Sequence, residues 1–170
     1  MKNLSRRDFG KIALAALGSA AMPAAEPSSA VGPPGQPLDF TLNATPAASI
    51  DMGGNWKIAR DSENKGKTEH WFERPPVASA VTTVVPNPLE LTFPGYNGVV
   101  WYWRTFDSAE LGEYNDIRIY FQGVDYYAEA WLNGKYLGSN ESALLPFAFS
   151  LKNALPPGPN ELVVRVIDAN

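Results

Sequence analysis

The chain has 170 residues, no cysteine, one histidine and a formal net charge of −4. That length suits one domain, or one domain with a tail, while the missing cysteines exclude disulfides and any zinc site of the His/Cys type. Removing Lys2, Arg6, Arg7, Lys11 and Asp8 with the first 25 residues leaves 10 of 14 basic and 17 of 18 acidic side chains, a net charge of −7 without a basic cluster, which argues against a nucleic-acid partner.

The N-terminus reads as an export leader, residues 1–25. Ser5-Arg6-Arg7-Asp8-Phe9-Gly10-Lys11 matches a twin-arginine pattern, with Gly10 where leucine is usual. An Ala-rich apolar run follows over 12–21, and small residues at 21–25 offer a cleavage site. The run is about half of the roughly 20 residues a membrane-spanning helix needs, so no membrane span is expected. A periplasmic or secreted location follows. Residues 26–37 hold four prolines and two glycines and read as an extended linker. The folded domain is expected over 38–170.

Within that domain no segment has a helical period, and strand-like runs alternate with turn residues. The predicted strands are 55–60, 78–85, 99–107, 116–122, 127–133, 135–137, 146–151 and 161–168. In the last, Leu162, Val164 and Val166 share one face, opposite Glu161, Val163, Arg165 and Ile167. In 116–122, Ile117, Ile119 and Phe121 oppose Arg118, Tyr120 and Gln122. Such alternation marks antiparallel sheets with one face on a core. Asn133-Gly134 predicts a two-residue hairpin, whose turn needs positive φ at both central positions. Pro156-Pro157-Gly158-Pro159-Asn160 is expected to be a loop without ladder bonds. About eight short antiparallel strands and no long helix predict an all-β sandwich.

Five motifs, in order, carry a family resemblance. They are Gly54-Asn55-Trp56-Lys57-Ile58-Ala59-Arg60-Asp61, Val85-Pro86, Gly98 to Phe106 as Gly-x-x-Trp-Tyr-x-Arg-x-Phe, Phe121-Gln122-Gly123-Val124-Asp125 with Trp131-Leu132-Asn133-Gly134, and Pro157 to Val166. Together they resemble the N-terminal sugar-binding domain of glycoside hydrolase family 2, the group of β-galactosidases, β-glucuronidases and β-mannosidases. The resemblance runs from about Gly53 to Asp168. It implies a jelly-roll β-sandwich, galactose-binding-domain-like, that carries no catalytic carboxylate. In the family the two catalytic glutamates belong to a downstream barrel, and the domain itself continues with a further strand. The resemblance therefore implies a non-catalytic carbohydrate-binding module of an exported glycosidase, whose partners are carbohydrate and downstream catalytic domains. It also implies a sandwich lacking its last strand, with an unpaired edge. A free-standing carbohydrate-binding module, or a structural sandwich without ligand, remains open beside it.

Retaining glycosidases place two carboxyl groups about 5–5.5 Å apart. Glu90, Glu110, Glu113, Asp125 and Glu129 are the available carboxylates, and no pair among them has a sequence rationale for split pKa values. Glu129, mid-strand between Ala128 and Ala130, reads as part of a solvated face. Residues 61–66 have acidic oxygens at the first and third positions, but Lys65 and Phe72 stand where a calcium loop needs ligands, so the segment reads as a polar turn. No metal or cofactor is expected, and no catalytic residue is assigned. His70 reads as an exposed loop residue. Sugar rings stack their C–H faces on aromatic side chains, with polar neighbours fixing the hydroxyls. The candidate ligand residues are Asn87 and Glu90 after Val-Pro, Trp101 and Trp103 on one strand face, and Tyr96, Asp125, Tyr126 and Tyr127 near strand ends.

Overall fold

The computed structural model describes residues 12–17, 48–76, 78–111, 114, 116–141, 145–151 and 155–168. The twin-arginine motif, the cleavage region, the linker and Glu113 lie outside the described residues. Two antiparallel sheets pack face to face as a β-sandwich of jelly-roll type. The larger has the order β4 (Val81–Val85), β3 (Gly54–Arg60), β5 (Val99–Asp107), β10 (Pro159–Ile167), β7 (Tyr127–Leu132), β8 (Lys135–Glu141). The smaller has the order β2 (Ala48–Asp51), β1 (Ile12–Leu17), β6 (Asp116–Phe121), β9 (Phe147–Ser150). The 86–98 connection carries one short helix, α1 (Leu89–Thr92), and a 3-10 turn spans Ala109–Leu111.

Alternation decides which residues meet. From β5, Val100, Tyr102 and Phe106 point inward; from β10, Leu162, Val164 and Val166; from β7, Ala128, Ala130 and Leu132. They meet Ile119 and Phe121 of β6 and Phe147 and Phe149 of β9 across the sandwich. Phe121 stacks on Phe147, ring centroids 4.6 Å apart. Each fully buried ring or branched chain contributes about 1.5–3 kcal/mol from area alone, so this layer dominates the stability of the fold.

The outer face of the larger sheet holds a second apolar cluster. Trp101 and Trp103 of β5, Trp131 of β7 and Val163 of β10 are buried there. The connection from β3 to β4 folds over them. Phe72 stacks on Trp131 with centroids 5.4 Å apart, and Trp71 meets Trp101 edge-on at 6.1 Å.

The Asn133-Gly134 turn has the expected positive φ at both residues, 50° and 76°, and joins β7 to β8. Strands β10, β8, β1 and β2 differ from the sequence expectation. Pro159 and Asn160 belong to β10, pairing with Asp107 and Phe106; a proline is tolerated at the first residue of a strand. The Asn160 amide donates to Ser108 Oγ, Pro156 O and Gly158 O, which fixes the preceding loop. Strand β8 runs on to Glu141, past the predicted 137. Two further strands, β1 and β2, raise the number among the described residues to ten. β1, from the apolar run at 12–21, lies between β2 and β6 and pairs antiparallel with both.

Candidate functional site

The structure distributes the eight sequence-predicted residues over three places. Asn87 follows β4 at the end where β3 begins, its amide 3.5 Å from Thr83 Oγ1. Glu90 lies on α1, half-buried. Tyr96 sits at the opposite end, where its hydroxyl donates to Val99 O at 2.9 Å and the Arg60 guanidinium lies 5.6 Å from its ring centroid. Asp125, Tyr126 and Tyr127 lie at that same end. The Tyr126 N–H bonds Ile167 O, and Asp168 N bonds Gly98 O, which ties the starts of β7 and β5 to the last residues of β10. Tyr126 is exposed, and its hydroxyl bonds Glu141. That hydrogen bond holds the phenol above its ordinary pKa.

Trp101 and Trp103 form the third place, and the sheet's covering segment occupies it. They are 0% and 3% exposed. The Trp101 indole donates to Asp61 Oδ2 at 2.9 Å, and that of Trp103 donates to Trp71 O at 2.9 Å. The Trp101 ring faces protein throughout, and Trp103 leaves only an edge beside the cover. Asp61 itself is buried and also accepts the backbone N–H groups of Lys65 and Gly66 at 2.7 and 2.8 Å. The 61–66 turn is thus built around one carboxylate whose oxygens face donors of the chain itself.

Glu129 is not on a solvated face. It is 4% exposed, bonded to Arg165 at 2.6 Å and to Lys67 at 2.8 Å. Arg165 also donates to Asn64 Oδ1 at 2.6 Å. The covering segment supplies Asn64 and Lys67, so this pair anchors the cover to the sheet. His70 is exposed, 3.7 Å from Glu73 across one turn.

Beside the cover, the outer face of the same sheet stays open. Thr82, Lys57 and Trp103 stand in register across β4, β3 and β5, and Thr105 and Glu161 across β5 and β10. Pairing places them on one face, because directly opposed residues point the same way and the side-chain period is two. With Asn55 and Pro75 they line a groove of about 410 Å³, within the size range of small-molecule sites. Lys57, Thr82 and Thr105 are exposed, and Glu161 is half-buried. Burial pushes the Glu161 carboxyl up, against the opposing charge of Lys57. Of the sequence-predicted residues Trp103 alone lines this groove, and sequence reasoning missed the rest of it. The only signal for it was the polar phase of β3, Asn55 and Lys57 alternating with Trp56 and Ile58.

Among the described residues, no cluster of His, Asp or Glu suited to a metal ion occurs, and no helix is long and apolar enough to cross a membrane.

Residues 50–170 match the family model described as glycosyl hydrolases family 2, sugar binding domain. A β-galactosidase of Enterobacter cloacae is 37% identical over 129 residues, 75% of this chain and 11% of that protein. A β-glucuronidase of Paenibacillus borealis is 23% identical over 127 residues, 69% of this chain and 20% of that protein. The solved β-glucuronidase of an uncultured Clostridium species superposes with a TM-score of 0.60 at 30% identity, covering 68% of this chain and 21% of that one. The chain thus spans about a fifth or less of the length of these relatives.

Proposed function

We propose that this chain, which belongs to glycosyl hydrolase family 2 through its sugar-binding domain, serves as the non-catalytic carbohydrate-binding module of an exported glycosidase. The observation that carries the reading is the match over 50–170 to that domain, set against relatives five or more times as long. The parent activity would be hydrolysis of β-glycosidic bonds, as the names of the β-galactosidases and β-glucuronidases indicate for those proteins.

The chemistry of the described carboxylates supports a binding rather than a bond-breaking role. A retaining pair needs one carboxyl free to attack and one held protonated. The two most buried acids, Asp61 and Glu129, are instead engaged by backbone amides, an indole, a guanidinium and an ammonium. Neither can leave its partners without loosening the segment over the outer sheet. The leader motif supports export by the twin-arginine route, to the periplasm or beyond.

The test has two arms on the 170-residue chain. Calorimetric titration with β-linked disaccharides is expected to show saturable binding. Incubation with nitrophenyl β-galactoside and β-glucuronide is expected to release no nitrophenol above the buffer rate. Turnover that survives repurification would overturn the non-catalytic assignment. In the source cell, an antibody to the domain is expected to mark an exported polypeptide much larger than 170 residues; a band near the processed size would favour a free-standing module.

A further inference from the structure

We propose that the open groove on the outer face of the larger sheet is a binding site for one neutral sugar ring, held between Lys57 and Glu161. The inference rests on the carbohydrate-binding reading above and gives it a location away from the strand-end residues that the sequence singles out.

The two charged groups flank β5. Lys57 lies on β3 opposite Trp103, and Glu161 lies on β10 opposite Thr105. They are thus two strand spacings apart, about 9.5 Å across the sheet, and offset by two residues, roughly 6.5 Å along the strands. Among the described residues they form no ion pair with each other. An ammonium and a carboxylate that face one groove without meeting leave room for a ligand that bonds both. A hydroxylated ring does so: one hydroxyl donates to Glu161 while another accepts from Lys57, and both bonds are of the stronger, charge-assisted kind. The exposed Thr82 and Thr105 hydroxyls and the Asn55 amide add donors and acceptors along the same floor. Pro75 and the edge of Trp103 supply an apolar wall for ring C–H groups.

The charge pattern selects the class of sugar. Lys57 and Glu161, the two charges that face the ligand, balance, while Arg104 is turned to the backbone carbonyls of Asn55 and Gly53 and leaves one positive charge beside the floor. A neutral ring bonds both facing groups without setting a charge against Glu161. A uronate would gain from Lys57 and Arg104 but be repelled by Glu161 at the contact itself. Because Glu161 is half-buried, solvent screens that repulsion only in part.

The experiment is a ¹⁵N NMR titration of the 170-residue chain with lactose, with cellobiose and with methyl β-glucuronide, repeated on K57M and E161Q. Both variants alter groove side chains outside the main core, and an unchanged amide spectrum verifies their fold. The expected result is saturable shifts of the Lys57, Thr105 and Glu161 amides and the Trp103 indole with a neutral disaccharide. Each variant should weaken that binding about tenfold, and the uronide should bind at least tenfold more weakly. Shifts confined to 87–90 and 124–127, with both variants at wild-type affinity, would overturn the groove and leave carbohydrate binding standing. A groove that prefers the uronide would overturn the neutral class. No saturable response to any of the three would overturn the groove and the carbohydrate-binding reading together.

Discussion

Arg165 and Glu129 face each other across β10 and β7 at 2.6 Å, each 4% exposed, on the side of the sheet turned away from the main core. They are buried because residues 61–76 lie over them, and that segment brings Asn64 and Lys67 into the network. A charge pair taken out of water is costly unless each remaining donor and acceptor finds a partner. Here the cover supplies Asn64 and Lys67 and leaves only Arg165 Nε without a partner among the described residues, so the cover and the pair depend on one another.

Replacing Glu129 by alanine should therefore cost far more than the pair itself contributes. It leaves the Arg165 guanidinium buried without its carboxylate, a loss of about 3–5 kcal/mol. The double replacement of Glu129 and Arg165 by leucine and methionine should recover most of that loss, since apolar groups of similar volume need no partner. Lys67, exposed at its tip, should cost at most about 1 kcal/mol when changed to alanine. Urea denaturation of the three variants checks this; equal losses for the single and double replacements would refute the coupling.

The turn beneath Trp101 should resist two small changes. Asp61→Asn keeps the shape but turns an amide N–H₂ toward the donors of Lys65, Gly66 or Trp101, all of which the carboxylate now accepts. An unsatisfied buried donor costs about 1–3 kcal/mol. Gly66→Ala fails for a different reason: its Cβ would lie 2.6 Å from Trp101 Cε2, and the rigid indole is held at both faces of the sheet contact. Overpacking of this kind costs about 1–3 kcal/mol. Both variants should lower Tm by several degrees and alter near-ultraviolet circular dichroism, because the tryptophan cluster moves. A wild-type spectrum for Gly66→Ala would show that the cover yields freely.

The inner layer of this fold is legible from period-two alternation. Leu162, Val164 and Val166 announce their face, as do Ile117, Ile119 and Phe121, and Asn133-Gly134 fixes a hairpin register within two residues. The outer face is not legible. Whether Glu129 meets water depends on a segment some sixty residues earlier that has no strand or helix period of its own. Sequence therefore reads Trp101 and Glu129 as open when the cover seats over both. The groove fails for a related reason: Lys57 and Glu161 share it only through the pairing of β3 and β10 with β5, and alternation within each strand says nothing of register between them. β2 escaped notice because four residues, Ala48–Asp51, are too few to show a period.

Glu161 gives the fold a pH dependence that can be isolated. Burial raises its carboxyl in the folded state, so the folded chain binds this proton more tightly than the unfolded chain does. The stabilising contribution of the protonated form is complete below the unfolded pKa and disappears as pH rises through the folded one. Glu161→Gln removes that dependence. The Tm of E161Q minus that of the wild type should therefore increase from pH 3.5 to pH 7, with the change falling in and just above the ordinary carboxylate range. Subtraction cancels the acid response of the other carboxylates. A difference that stays flat, or falls with pH, would mean that Lys57 outweighs burial at this site.

β1 poses the last test, because it puts part of the segment that the sequence reads as a leader into the fold. Ile12–Leu17 pairs with Asp116–Phe121 over six positions and with Ala48–Asp51 over four, between two strands that have no other contact in the sheet order. Deleting residues 1–25, as processing at 21–25 would, leaves β2 and β6 as facing edges with unbonded N–H and C=O groups. Exposed edges of that kind either destabilise a sheet or recruit another chain. The chain from residue 26 should melt at least about 10 °C below the full chain or show concentration-dependent association by light scattering. A synthetic peptide of residues 10–19 should restore the melt in trans, since it carries the same register. A truncated chain that stays monomeric at the full-length Tm would show that β1 contributes nothing to the sandwich, and that β2 and β6 close on each other without it.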